Sequence, residues 1–176
     1  MIVLNSLSRQ HLAVRWRSYR RVPGRLLPGH WLLDSGSLTA RLVALSGGDF
    51  RVEVVAQGWE RPNISEALAL QIDPRLKVLV REVRLLGCGQ VWVHARSLIP
   101  ATTLTGRHRK LATLGSRPLG EVLFTDPGMQ RGAIETARVP LYSPASRAWA
   151  RRSVFYLDHK PLLVSEVFLP QLLQLQ

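Results

Sequence analysis

Two charged residues stand in rows that are otherwise oily, and their chemistries are complementary. In "KPLLVSEVFLP", residues 160–170, the side chains of a strand alternate between faces, so Leu162, Val164, Glu166 and Phe168 share one face. In "KVLVREVRLL", residues 77–86, the same rule groups Leu79, Arg81, Val83 and Leu85. A charge in an apolar row must find a partner, reach water at the end of the sheet, or face a pocket, because burying it alone is costly. Two readings follow. Either the two neutralise each other as a buried ion pair, or they line one apolar cavity. In the second case Arg81 grips a ligand carboxylate with its planar fork, and Glu166 meets a hydroxyl or an ether. Apolar walls with a few converging polar groups describe a small-molecule site.

Holding such a pair takes a sheet, and the chain reads as one. Residues 28–45 form two short helical pieces broken at Ser35–Gly36, with Ser37 capping the second. "FRVEVVAQ" (50–57) alternates as a half-exposed strand. Gly87-Cys88-Gly89 joins two apolar, β-branched runs as a hairpin and leaves Cys88 at an exposed tip. Residues 101–117 read as helix and loop, "PLGEVLF" as a helical turn, and 131–139 as one strand. "RRSVFYLD" and "PLLVSEVFL" flank Asp158-His159-Lys160 as a tight hairpin. Hairpins with grouped helices predict an α+β fold: a single antiparallel sheet of about six strands, helices packed against it, and a buried ligand pocket. One domain over residues 1–176 is expected from this length.

Composition narrows the function classes. The single cysteine, Cys88, precludes an intramolecular disulfide framework and suits a reducing, cytoplasmic setting. No run approaches the roughly 20 apolar residues of a membrane span, and the opening apolar run is too short for a secretory signal. The net charge is +12, and Arg9, Arg15, Arg17, Arg20, Arg21 and Arg25 precede the first acidic residue, Asp34. A nucleic-acid surface, a transit peptide and a solvated basic face that steers a small anion all fit that charge. The first lacks support, since no helix-turn-helix, zinc-finger or ribonucleoprotein motif is present. There is also no glycine-rich phosphate loop, no paired metal-ligand spacing among the five histidines and no GxSxG elbow. Neither a cofactor nor a metal is expected.

The stretches "WLLDSGSLTARL", "LVREVRLLGCGQVWVHARSLIP", "LGSRPLGEVLFT" and "ARRSVFYLDHKPLLVSEVFLP" run in order along the chain and resemble chorismate lyase. The likeness leaves out residues 1–27 and the loop from Trp59 to Pro74. It implies a carbon–oxygen lyase that removes pyruvate from chorismate to give 4-hydroxybenzoate for ubiquinone synthesis, inhibited by its own product. Such an enzyme would work as a cytoplasmic monomer, with no cofactor, nucleic acid or membrane insertion. It further implies that Arg81 of "VREV" holds the ring carboxylate and Glu166 of "SEVFLP" contacts the ring hydroxyl. Main-chain groups at Leu119 in the "PLG" turn would complete the carboxylate site, and Leu38 in "GSLT" would close over the ring. Arg96 in "ARSLIP" is a candidate second cation, with a purely structural role as its alternative. His159 departs from the family, whose hairpin often has glycine there. Glu166 acts as acid or base in the elimination, or only orients the hydroxyl while the enolpyruvyl methylene takes the ring hydrogen itself. A non-catalytic ligand-sensing domain, related to those of transcription regulators, keeps the fold and drops the chemistry.

Overall fold

The computed structural model describes residues 14–18, 28–141 and 146–175. Its centre is one antiparallel sheet of eight strands: β1 (Arg17–Ser18), β2 (Phe50–Glu60), β3 (Val78–Gly87), β4 (Gln90–Pro100), β5 (Met129–Arg131), β6 (Glu135–Pro140), β7 (Arg147–Leu157) and β8 (Lys160–Phe168). The order is β1-β6-β7-β8-β4-β3-β2, and β5 pairs beside β6 along β7. Among the described residues five short helices accompany it: α1 (Gly29–Leu32), α2 (Leu38–Leu45), α3 (Ile64–Leu70), α4 (Leu119–Phe124) and α5 (Pro170–Leu173), with a 3₁₀ segment at Gly106–Thr113. The expected α+β antiparallel architecture is present with eight strands rather than six. The stretch 131–139 is two strands, because the Gly132 amide donates to Val154 O at 2.7 Å and the chain then leaves the ladder. Residues Arg9, Arg20, Arg21 and Arg25 of the basic start lie outside the described residues, while Arg15 and Arg17 are exposed.

The helix and hairpin expectations rest on visible chemistry. Ser37 accepts from the Ala40 amide and caps α2 as expected. Asp158 and His159 adopt φ of 48° and 66°, so the tight β7–β8 turn is left-handed without glycine. The stretch 59–74 is not a loop: β2 continues to Glu60, and α3 begins behind a reciprocal cap between Asn63 and Glu66. Among the described residues no helix is long and apolar enough to cross a membrane.

Both faces of the sheet's centre are covered, which explains why β3 and β8 carry apolar residues at odd and even positions alike. One face packs Leu79, Ile99, Phe155 and Leu162 against α4 and the 3₁₀ segment, and Val83, Leu85, Val93 and Phe168 against α1 and α2. The other face buries Val78, Val80, Leu98 and Leu163 with Leu70 of α3. Each fully buried Leu or Phe contributes about 1.5–3 kcal/mol. A one-residue bulge interrupts β4: Leu86 pairs with Val91 but Leu85 with Val93, so Trp92 has no opposite number. Trp92 turns into the core on the α1–α2 side, where its ring covers Gly87 so closely that an added Cβ would lie 2.1 Å from it.

His94 on β4 is buried opposite Arg84 of β3, and burial with the arginine's charge pushes its pKa down from 6.5 to about 4. A folded-state pKa below the unfolded one means that the neutral ring stabilises the fold fully above about pH 6.5. That stability is lost as the pH falls through 6.5 toward 4, a change on the order of 3 kcal/mol. We expect His94→Gln to flatten the decline of the urea midpoint between pH 7 and 4.5. Parallel declines in the two proteins would remove His94 from the acid response.

Candidate active site

The face of the sheet that carries Arg81 and Glu166 does not pack completely. Beneath α2 and α4 it leaves a cavity with about 570 Å³ of empty space, its open mouth included. Its walls include Val83, Leu85, Leu123 and Phe155. Four of the residues singled out from the sequence line it: Leu38, Arg81, Leu119 and Glu166. Leu38 and Leu119 are the first residues of α2 and α4, and both are buried. The two helix starts meet at Gly120, where an added Cβ would lie 2.7 Å from Thr39 Oγ1. Glycine in the "PLG" turn therefore allows the roof to close.

Arg81, 1% exposed, sits in mid-strand on β3. Its Nη2 donates to the carbonyls of Gly115 and Arg117 at 2.8 and 3.1 Å, bonds that fix the guanidinium against the loop before α4. Its Nε is buried with no partner. Among the described residues no carboxylate pairs with Arg81, and burial pushes its pKa below the ordinary arginine value. A buried cation left this way is held at a cost that an incoming anion relieves.

Glu166 does not pair with Arg81. Its partner is Arg151, the residue directly opposite it on β7, whose Nε donates to Oε2 at 2.5 Å. The Glu166 side chain keeps 16% exposure, toward the cavity, and its Oε1 has no hydrogen-bond partner among the described residues. Arg151, only 2% exposed, is held by two more bonds from Nη1, to Trp31 O at 3.0 Å and Asp34 O at 2.8 Å. These bonds tie the turn between α1 and α2 to the sheet. Arg131, the last residue of β5, also lines the cavity. Its Nε donates to Ser153 Oγ at 3.1 Å, its Nη1 to Asp34 O at 3.1 Å, and the guanidinium lies 5.1 Å from the centre of the Phe155 ring.

Sequence reading missed both Arg151 and Arg131. Arg151 carries the same signal as Arg81, since it alternates with Ser153, Phe155 and Leu157 on β7. Arg131 has none, because a three-residue strand shows no periodicity.

Arg96, the candidate second cation, is on the opposite face of the sheet and does not line the cavity. It donates to Glu66 of α3 at 2.9 Å and to Glu82 of β3 at 2.7 Å, both buried. The bulge at Trp92 is the cause. A regular hairpin through Cys88-Gly89 would set Arg96 opposite Arg81, whereas the extra residue shifts the register by one and sets it opposite Glu82. Its role is to pin α3 to the back of the sheet.

The family described as "Chorismate lyase" matches residues 14–175, which takes in both the 59–74 stretch and residues 14–27. A Methylococcus capsulatus protein named "Probable chorismate pyruvate-lyase" is 44% identical over 153 residues, covering 81% of this chain and 94% of its own. One of the same name from Thiobacillus denitrificans is 45% identical over 170 residues, covering 90% of each chain. Among solved structures, PhnF from Mycobacterium smegmatis aligns with a TM-score of 0.57 at 17% identity, over 79% of this chain and 66% of that one. The effector domain of PhnF gives 0.53 at 18% identity, over 77% and 90%. At such identities the likeness is one of fold.

Proposed function

The chain belongs to the chorismate lyase family, and on that premise we propose that it removes pyruvate from chorismate to form 4-hydroxybenzoate, in the cytoplasm and for ubiquinone synthesis. The observation that carries the reading is Arg81: a buried guanidinium beside an apolar cavity, bound to two carbonyls, without a carboxylate of its own. The ring carboxylate takes that place, helped by the Leu119 amide, which as the first of a helix has no intrahelical acceptor. The ring then lies under Leu38, and its hydroxyl reaches Glu166 on the same face of the sheet. One chain supplies all of these groups, which supports the reading of the enzyme as a monomer.

The Arg151 pair favours the orienting role of Glu166. A glutamate held in an ion pair at 2.5 Å is an acceptor, so its free Oε1 takes the hydrogen bond of the ring hydroxyl and fixes the ring. The elimination is then internal. The bond from ring carbon to ether oxygen breaks, and the hydrogen on the hydroxyl-bearing carbon passes to the enolpyruvyl methylene. Pyruvate leaves and the ring becomes aromatic, with no redox change and no added water. The protein holds the reactive conformer and excludes solvent.

The test is an ultraviolet assay on the purified chain with chorismate. We expect 4-hydroxybenzoate and pyruvate in equal amounts, with inhibition by added 4-hydroxybenzoate. A chain that binds 4-hydroxybenzoate yet forms none from chorismate is a sensing domain, the role the shared fold would otherwise serve.

A further inference from the structure

We propose that Arg131 and Arg151 form a second carboxylate subsite of this cavity, which holds the carboxylate of the enolpyruvyl arm and distinguishes substrate from product. The inference rests on the lyase reading and adds to it the group that recognises the part of chorismate to be expelled.

Charge is the first observation. Among the described residues that line the cavity, three are arginines (Arg81, Arg131 and Arg151) and one is a glutamate, an excess of two positive charges in that lining. Chorismate brings two carboxylates and 4-hydroxybenzoate one, so only the substrate balances the site. Arg131 and Arg151 also act on each other: burial and the neighbouring Arg151 charge push the Arg131 pKa down to about 10, against the opposing pull of Glu166 and Asp34. A carboxylate between them relieves both.

Free donors are the second. The Nη2 groups of Arg131 and Arg151 have no hydrogen-bond partner among the described residues, while their other nitrogens are fixed by Ser153, Asp34, Trp31 and Glu166. Those bonds hold both side chains in place and leave the two Nη2 groups as donors for an anion. The Phe155 ring, 5.1 Å from the Arg131 guanidinium carbon, adds a cation–π contact on that side.

Connectivity is the third. On the chorismate ring the hydroxyl lies across from the carboxylate, and the ether is on the carbon next to the hydroxyl. With the ring carboxylate at Arg81 and the hydroxyl at Glu166, the enolpyruvyl arm must leave the ring beside Glu166. That is where Arg151 and Arg131 stand, on strands β7 and β5, whereas Arg81 is three strand spacings away on β3, about 14 Å at the backbone. Arg96, on the other face, has no path to this point.

The test uses Arg131→Met, which keeps length and apolar contact, and Arg131→Lys, which restores a charge without the fork. Steady-state kinetics with chorismate are set beside the Kd of 4-hydroxybenzoate from tryptophan fluorescence. We expect Arg131→Met to lower kcat/KM between about ten- and a hundredfold, with the Kd of 4-hydroxybenzoate changed less than about threefold and Arg131→Lys partly restoring kcat/KM. Unchanged kcat/KM in Arg131→Met overturns the subsite and leaves the lyase reading intact. Equal losses for chorismate and 4-hydroxybenzoate also overturn it, since they mark Arg131 as support for the whole cavity. A wild-type chain without chorismate turnover removes the reading and the subsite together.

Discussion

Arg81→Ala lowers kcat/KM for chorismate by about a hundred- to ten-thousandfold, and 4-hydroxybenzoate binding falls with it. Two charge-assisted hydrogen bonds to a desolvated carboxylate, at about 1.5–3 kcal/mol each, set that range. Both ligands lose affinity because both present the ring carboxylate, in contrast to the substrate-selective effect expected at Arg131. The guanidinium also holds the Gly115 and Arg117 carbonyls, so the alanine variant loosens the loop that leads into α4. Arg81→Lys separates the two effects. It keeps the charge and one bond to the loop but loses the planar fork, so it should melt close to the wild type and still bind 4-hydroxybenzoate weakly. Isothermal titration and thermal melts on both variants make the measurement. Wild-type turnover by Arg81→Ala would leave no carboxylate role for this residue.

Glu166→Gln lowers kcat about a hundredfold while the Kd of 4-hydroxybenzoate changes little. The amide still accepts a hydrogen bond from the ring hydroxyl, so the ground-state complex survives. What disappears is the negative charge. Arg151 is left buried between two carbonyls with no anion, and the excess positive charge in the cavity rises. The free energy of unfolding should fall by about 1–3 kcal/mol for the lost charge-assisted bond. The fixed orientation of the hydroxyl, which depends on an acceptor locked by Arg151, is lost as well. Kinetics read alongside urea unfolding test the pair. A wild-type kcat in Glu166→Gln would reduce Glu166 to a scaffold for Arg151.

How much of this was written in the sequence depends on how regular each strand is. Period-two alternation exposes Arg81 and Glu166 because β3 and β8 run straight through the sheet with both faces covered, so a charge on either stands out. The same alternation on β7 marks Arg151, but its neighbour Arg152 makes the stretch resemble a solvated strand end. In the fold Arg152 turns to the opposite face and pairs with Glu135 at 2.7 Å. The sequence leaves the two readings of Arg96 undecided for a different reason. One unpaired residue, Trp92, inverts the parity of β4 relative to its turn, and no period-two rule can see that in advance. The Asn63–Glu66 cap of α3 was legible as a local motif, yet the surrounding polar residues hid it. Arg131 depends wholly on tertiary structure: only the pairing of β5 with β7 brings it beside Arg151.

The most direct test of the account is a crystal structure of the chain with bound 4-hydroxybenzoate. It should show the carboxylate on the Arg81 guanidinium and the Leu119 amide, the phenolic oxygen at Glu166, and the space beside Arg131 open for the departed arm. A ring bound elsewhere, or turned so that its carboxylate rests on Arg131 and Arg151, would contradict it.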